Sequence, residues 1–186
     1  MSVTRLAYTA EGWGEGELWF EETRLVWHDL PRPRPLETGP SADPHPGGAQ
    51  SRLPLRSTIP RKRGPAGDGT APSLQKVVPR FERYFAGEPV RFDDLELDLD
   101  GLSPFQHAIA NALRKVPYGE VVSYGELARI AGHPNAQRAA GTFCAHNRYP
   151  LVLPCHRVVA AKGLGAYGSL GLDYKRRLLE LEGVAV

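Results

Sequence analysis

Between positions 31 and 73 the chain places ten of its 17 prolines and six of its 20 glycines, with almost no aromatic side chain. A stretch of that composition cannot bury enough apolar surface to offset the entropy of ordering it. It reads as a mobile insertion or linker. Any core must therefore be assembled from the residues before Pro31 and after Pro72 and Ser73. Arg61-Lys62-Arg63, inside the insertion, reads as a solvated charge run in preference to a nucleic-acid contact.

What remains of the 186 residues is enough for one ordinary domain or two small ones, and at 41% hydrophobic it can form a real core. No apolar run approaches the roughly 18–20 residues needed to span a bilayer. The opening Met-Ser-Val-Thr-Arg-Leu lacks the apolar centre of a secretory signal. Two cysteines, Cys144 and Cys155, cannot make a disulfide framework or a four-thiolate zinc site. These counts argue against a membrane protein, a disulfide-stapled secreted domain and a zinc finger. The expectation is a soluble, cytoplasmic protein, nucleoid-associated if prokaryotic.

The N-terminal part reads as a small α/β unit. Glu17-Leu-Trp-Phe20 and Arg24-Leu-Val-Trp27 form strand–turn–strand around Glu21-Glu22-Thr23. Leu74, Val77, Val78, Phe81 and Phe85 make a helical stripe. Leu95, Leu97 and Leu99 alternate with acidic residues, which is strand period. From Leu102 helices dominate. Ser103-Pro104 is an N-cap with proline at the first helical position. Ser123-Tyr-Gly-Glu126 has the form of a capping box. Gly132-His133-Pro134 breaks that helix, and Asn135 can cap the next, which carries Arg138, Gly141, Phe143 and Cys144. Two short helices around a glycine-containing break suggest a helix-turn-helix, a weak signal alone.

Charge divides the chain in the same place. Residues 1–100 carry 13 Lys+Arg against 16 Asp+Glu, or −3; residues 101–186 carry 10 against 5, or +5, giving the total of +2. A basic C-terminal part suits a polyanionic partner.

Pro154-Cys155-His156-Arg157-Val158-Val159 carries the chemistry. It follows the strand-like run Leu151-Val152-Leu153, and Pro154 fixes one backbone angle just before the thiol. The thiolate is the nucleophile, and a neighbouring base or cation is what makes a thiol reactive. Cys155 and His156 would point to opposite faces of an extended segment, so cooperation between them requires a turn. A cysteine taken singly is a buried small hydrophobe; the ordered string changes the odds.

Asn147, an apolar run and then Pro-Cys-His-Arg-Val-Val resemble the active-site signature of the O6-alkylguanine-DNA alkyltransferases, the methylated-DNA–protein-cysteine methyltransferases. Val116 to Ala128, Arg138-Ala-Ala-Gly141 and Lys175 to Gly183 support the resemblance, which covers roughly residues 102–183. It implies an α+β protein. A small N-terminal α/β domain (1–100, interrupted at 31–73) would precede a mainly helical, winged-helix-like DNA-binding domain (101–186) that carries the active site. It also implies DNA repair: irreversible, single-turnover transfer of the alkyl group from O6-alkylguanine, with O4-alkylthymine as a further candidate, to Cys155. The nucleotide would be flipped through the minor groove.

By the same resemblance Cys155 is the acceptor, His156 its base acting through a water, and Glu182 the group that holds the histidine tautomer. Asn147 braces the turns. Tyr124 sits near the target phosphate and base and helps protonate the leaving guanine. Arg138 enters the duplex in place of the extruded base, and Ala136, Ala139 and Gly141 form the small-residue face toward the minor groove. Lys162 to Ser169 resembles the family's substrate loop, with Tyr167 and Ser169 as its contacts; the spacing to Tyr167 is one residue short and is restored before Lys175. Physical sense agrees: a stacked base must be extruded before its O6 substituent can be attacked in line, at a cost of about a few kcal/mol.

No cofactor is implied, and no metal: the zinc site of some relatives needs N-terminal cysteines, and none precedes Cys144. The expected partner is double-stranded DNA containing O6-alkylguanine, with no membrane and no obligate protein partner. Three rivals are weighed. A lesion-binding alkyltransferase-like protein would sense damage without repair, but such proteins replace the acceptor cysteine. A methylation-triggered transcriptional sensor would need a second DNA-binding domain or a zinc module. A cysteine hydrolase would turn over repeatedly.

Overall fold

The computed structural model describes residues 3–33 and 74–185. The Arg61-Lys62-Arg63 run, and the proline-rich insertion beyond its first three residues, lie outside the described residues. Helices and small sheets are mixed, as the α+β expectation requires at that level.

The N-terminal sheet has three antiparallel strands in chain order: β1 (Val3–Ala10), β2 (Gly14–Glu21) and β3 (Arg24–Arg32). The sequence reading found the hairpin of the last two but missed β1, whose alternation is diluted by exposed Val3, Arg5 and Ala7 at the sheet edge. β3 also runs to Arg32, two residues into the segment assigned to the insertion, and Pro31 is buried there. One face of the sheet (Tyr8, Leu18, Phe20, Leu25, His28) is buried with Phe81, Tyr84 and Phe85 of α1 (Val78–Phe85). Full burial of side chains of this size is worth about 1.5–3 kcal/mol each. Tyr8 and Phe81 ring centroids are 5.5 Å apart, and His28 and Phe81 4.7 Å.

The Leu95–Leu99 alternation does not make a strand. Leu95 and Leu97 are buried, but the segment forms only one bridge, Leu97 with Leu25. Asp93-Asp94 and Gly101 flank too short a length for a ladder, and acidic side chains there serve Arg24 and Arg80 instead.

The helical part begins with α2 (Pro104–Leu113), closed by a complete capping box between Ser103 and Gln106. α3 (Tyr124–Ile130) has the same device in Ser123 and Glu126. α4 (Gln137–Ala145) differs from expectation: Asn135 takes φ 71°, in the left-handed region, and the cap is Ala136, with no side-chain cap bond. An asparagine tolerates that conformation because its short polar side chain can satisfy the local backbone, so it closes the turn rather than caps the helix. A two-residue parallel pair, β4 (Val122–Ser123) with β5 (Val158–Val159), ties the start of α3 to the chain just beyond Cys155. α5 (Gly171–Leu181) closes the chain.

One buried cluster includes residues of the sheet, α1, α2 and α3, and Leu153, Cys155 and Val158 around the signature. Among the described residues no helix is long and apolar enough to cross a membrane.

Candidate active site

The apolar run before the signature is not a strand. Tyr149 to Leu153 is a buried turn, with Leu153 N donating to Tyr149 O at 2.8 Å and Leu151 at φ 70°. Its apolar content reflects burial on all sides, which hydrophobicity alone cannot distinguish from a strand. Asn147, just past α4, closes it. Its Oδ1 accepts from Tyr149 N at 3.0 Å, and its Nδ2 donates to Leu153 O at 2.7 Å and to Cys155 Sγ at 3.1 Å. Cys155-His156-Arg157 then forms one 3-10 turn. The turn that the adjacent Cys and His would need is therefore present.

All three turn residues are buried, and two of them converge on Glu182, the residue that ends α5. His156 Nε2 lies 2.8 Å from Glu182 Oε1. Arg157 donates from Nε to Oε2 and from Nη2 to Oε1, both at 2.9 Å, and from Nη1 to Val116 O at 2.8 Å. Gly119 N donates to Oε2 at 3.1 Å. Gly119 has φ 77°, and a Cβ there would stand 3.1 Å from Glu182 O, so the close approach favours glycine. Tyr84 Oη, from α1, donates to Oε1 at 2.6 Å.

Burial pushes the Glu182 carboxyl up, but hydrogen bonds from His156 and Arg157 outweigh it and hold the group well below the ordinary range. Glu182 is thus an ionised acceptor, and His156 must present Nε2–H to it. That fixes the tautomer and leaves Nδ1 as the basic nitrogen; Nδ1 is buried and has no hydrogen-bond partner among the described residues. Burial lowers the pKa of His156 against the opposing pull of Glu182, so the ring is a neutral base at pH 7.

On the other side of Cys155 the surroundings thin out. A cavity of about 40 Å³ is lined by Tyr124, Gly141, Cys144, Cys155, Ala166 and Tyr167 among others. Burial raises the Cys155 pKa, opposed by the Asn147 hydrogen bond and by the charge of Lys175. Lys175 is fully buried, with Nζ donating to Val158 O at 2.5 Å and Leu164 O at 2.7 Å, so it also pins the glycine-rich loop. Tyr167 is buried against Cys155, and its hydroxyl makes no hydrogen bond of ordinary geometry. Cys144 is half-buried in the same cavity wall, and burial makes it a poor thiolate.

The structure thus brings together Cys155, His156, Glu182 and Asn147, and sets Tyr124 and Tyr167 around the thiol. Ser169 is exposed in a 3-10 turn and is not among the residues that line this cavity. Arg138 and Ala139 are exposed on α4, and Ala136 and Gly141 are half-buried. A second, open groove of about 390 Å³ joins Tyr124, Gly125, Gln137, Arg138, Ala160 and Ala161. The sequence reading gave no role to Arg157 or Tyr84. Arg157 stood inside the signature and could have been found as the cation beside a buried carboxylate. Tyr84 carried only its place on the Phe81 face of a helix, 72 positions from His156. Among the described residues no group of three or more His, Cys, Asp or Glu is placed to hold a metal.

Residues 104–184, a stretch that leaves out Tyr84, match the family model described as 6-O-methylguanine DNA methyltransferase, DNA binding domain. A methylated-DNA–protein-cysteine methyltransferase of Methanopyrus kandleri is 43% identical over 130 residues, covering 69% of this chain and 95% of that one. One from Mycolicibacterium paratuberculosis is 51% identical over 107 residues, covering 57% of this chain and 63% of that one, less than two thirds of its length. Among solved structures, Mycobacterium tuberculosis OGT in complex with DNA superposes with a TM-score of 0.64 at 32% identity, over 96% of this chain and 92% of that one. With these relatives matched, and with Cys155, His156 and the buried Glu182 assembled as described, the chain belongs to the methylated-DNA–protein-cysteine methyltransferase family.

Proposed function

We propose that the protein repairs DNA by moving the alkyl group of O6-alkylguanine directly onto Cys155. The observation that carries this reading is the thiol held by Asn147 on one side and followed immediately by a histidine whose tautomer Glu182 fixes.

The chemistry follows from the protonation states. The resting thiol is neutral because burial raises its pKa. His156 Nδ1 takes the thiol proton through one bridging water, as a general base. The imidazolium so formed is stabilised by Glu182, while Asn147 Nδ2 and the Lys175 charge stabilise the thiolate. Sγ attacks the alkyl carbon; the C–O6 bond breaks, and the guanine leaves with its electron pair and accepts a proton, with Tyr124 assisting. The product is a thioether. Nothing in the site hydrolyses a thioether, so each molecule acts once and repair capacity equals the number of molecules.

DNA delivery belongs to the same reading. The target base is extruded through the minor groove, Arg138 fills the gap in the stack, and Ala136, Ala139 and Gly141 let α4 approach closely. Tyr124 belongs to both the open groove and the thiol cavity, so it marks the passage between them. The cavity is smaller than a purine, so base entry requires the loop through Gly163, Gly165 and Tyr167 to shift. The finer architecture goes with this: an N-terminal α/β part over 1–100, and a winged-helix-like DNA-binding part over 101–186 acting in the cytoplasm on double-stranded DNA.

The test is intact mass after mixing with a duplex holding one O6-methylguanine, followed by peptide mapping. A gain of one methylene equivalent on the Cys155 peptide, saturating at one per molecule, is the expected result. Lesion binding without a gain would make the protein a damage sensor, and repeated turnover would make it a hydrolase.

A further inference from the structure

We propose that Tyr84 is a positioning residue for alkyl transfer, setting how strongly Glu182 holds the His156 proton; this rests on the repair reading above. Tyr84 is wholly buried, and its hydroxyl donates to Glu182 Oε1 at 2.6 Å. The same hydroxyl lies 3.2 Å from His156 Nε2. Both groups cannot donate to each other: an ionised Glu182 requires Nε2–H, so Tyr84 and His156 are two donors meeting on one oxygen. Oε1 also accepts from Arg157 Nη2, which gives it three donors, while Oε2 accepts from Arg157 Nε and Gly119 N. Every acceptor direction of the carboxylate is thereby used.

The physical consequence is a division of charge. A short hydrogen bond to a carboxylate is among the strong ones, and each one donated draws off negative charge that would otherwise stabilise imidazolium. The charged and titratable groups facing His156 are Glu182 at the end of α5, Lys175 within α5, its neighbour Arg157, and Tyr84 from α1. Burial of the Tyr84 phenol, next to Glu182, keeps it protonated far above neutral pH, so it remains a donor throughout. The close contact at 2.6 Å outweighs the 3.2 Å contact, which has no proton of its own. Tyr84 therefore keeps His156 weakly basic, able to take the thiol proton and release it. It does so from α1, outside the stretch that matches the family model.

The experiment titrates His156 by nitrogen NMR in the full chain and follows single-turnover transfer from O6-methylguanine duplex across pH. In Tyr84→Phe the His156 midpoint and the acid limb of the rate profile move up by about half a unit to one unit. On the acid limb, well below the wild-type midpoint, the rate falls about three- to tenfold, against less than twofold at pH 8.5, with lesion-duplex affinity unchanged. A fluorotyrosine at position 84, a stronger donor of the same shape, moves the midpoint down and covers the case in which Tyr84→Phe does not fold. Tyr8→Phe removes another buried hydroxyl, the one beside His28, and leaves the His156 midpoint in place. Superimposable titrations for wild type and both Tyr84 variants, or shifts in the opposite directions, overturn the proposal. If wild type itself transfers nothing, the repair reading fails, while the titration still decides whether Tyr84 tunes His156.

Discussion

The two sides of Cys155 are built on opposite rules. Toward α5 lies a buried cluster in which Glu182 takes five hydrogen bonds from four residues, all at 2.6–3.1 Å. Toward the glycine-rich loop lies a small cavity with an unpaired phenol and few polar atoms. Around Glu182 the carboxylate's bonds are all made, His156 Nδ1 being the one buried polar atom of the cluster left without a partner, and such a network holds one geometry because any displacement strands a buried charge. An unsatisfied pocket is free to exchange contacts with an entering ligand. The thiol sits on the boundary; under the proposed repair mechanism its proton is handled on the rigid side and its electrophile received on the open side.

The largest effect tests the boundary itself. Cys155→Ser is expected to abolish mass gain from O6-methylguanine duplex while gel-shift affinity for the lesion stays within about threefold, since the replaced atom serves transfer and not docking. A serine variant that still acquires a methyl group at position 155, or one that loses binding, would break the division.

Next comes the rigid side. Glu182→Gln leaves Arg157 buried without its countercharge, and removing one partner of a buried pair costs about 3–5 kcal/mol. It also removes the acceptor that fixes the His156 tautomer, with an expected loss of about 100-fold or more in single-turnover rate. Urea denaturation and quenched-flow transfer read the two separately. A comparable stability loss with an unaltered rate would make the cluster a purely structural one.

Acid lability sharpens the comparison by pH window. His28, wholly buried, donates from Nδ1 to Pro150 O and accepts from Tyr8 at Nε2, each at 2.7 Å. Burial lowers its pKa to about 4. Its unfolded form binds a proton that the folded form refuses, so stability falls between pH 6.5 and 4, by about 3 kcal/mol at the lower end. Glu182 has a depressed folded pKa. Its contribution is complete above the unfolded value near 4.5 and is lost only as pH falls below that toward the folded value. Denaturation from pH 7 to 3 should show both windows in wild type. Glu182→Gln should flatten only the lower one, and a loss of both would mean the two groups are coupled.

The smallest effect belongs to the open side. Gly165 has φ 75°, and a Cβ there would lie 3.2 Å from the Tyr124 ring and 3.3 Å from its hydroxyl. Gly165→Ala should cost about 1 kcal/mol of stability and displace Tyr124 enough to slow methyl transfer by about tenfold. Thermal melts and stopped-flow transfer measure the pair. A rate unchanged by the added methyl would show that the loop already moves freely past Tyr124.

Much of the site could be read from the residues because its members are tied to fixed offsets from Cys155. His156 is adjacent, Asn147 closes the turn just before it, and Glu182 ends the last helix. The Ser103 cap and the Ser123–Glu126 capping box were legible for the same reason: a cap is a contact within four residues; Gln106, which completes a box with Ser103, went unread. The readings that failed needed distant neighbours. Leu151-Val152-Leu153 looked like a strand because burial from all sides leaves the same apolar signature as a sheet interior. Leu95 to Leu99 alternates as a strand would, but one bridge to Leu25 was all the partner it found.

From the chain alone, then, came the signature that proposes Cys155 as nucleophile and His156 as its base by resemblance, and, from residue type and short spacing, the basic character of the second half and local caps. Which nitrogen of His156 faces Glu182, the pairing of Arg157 with Glu182 and the arrival of Tyr84 came only with the fold. Those properties depend on which groups share a buried volume. Burial makes the choice of partner costly to change, and residues 72 and 98 positions from Tyr84 meet it only because the core brings α1 against the end of α5.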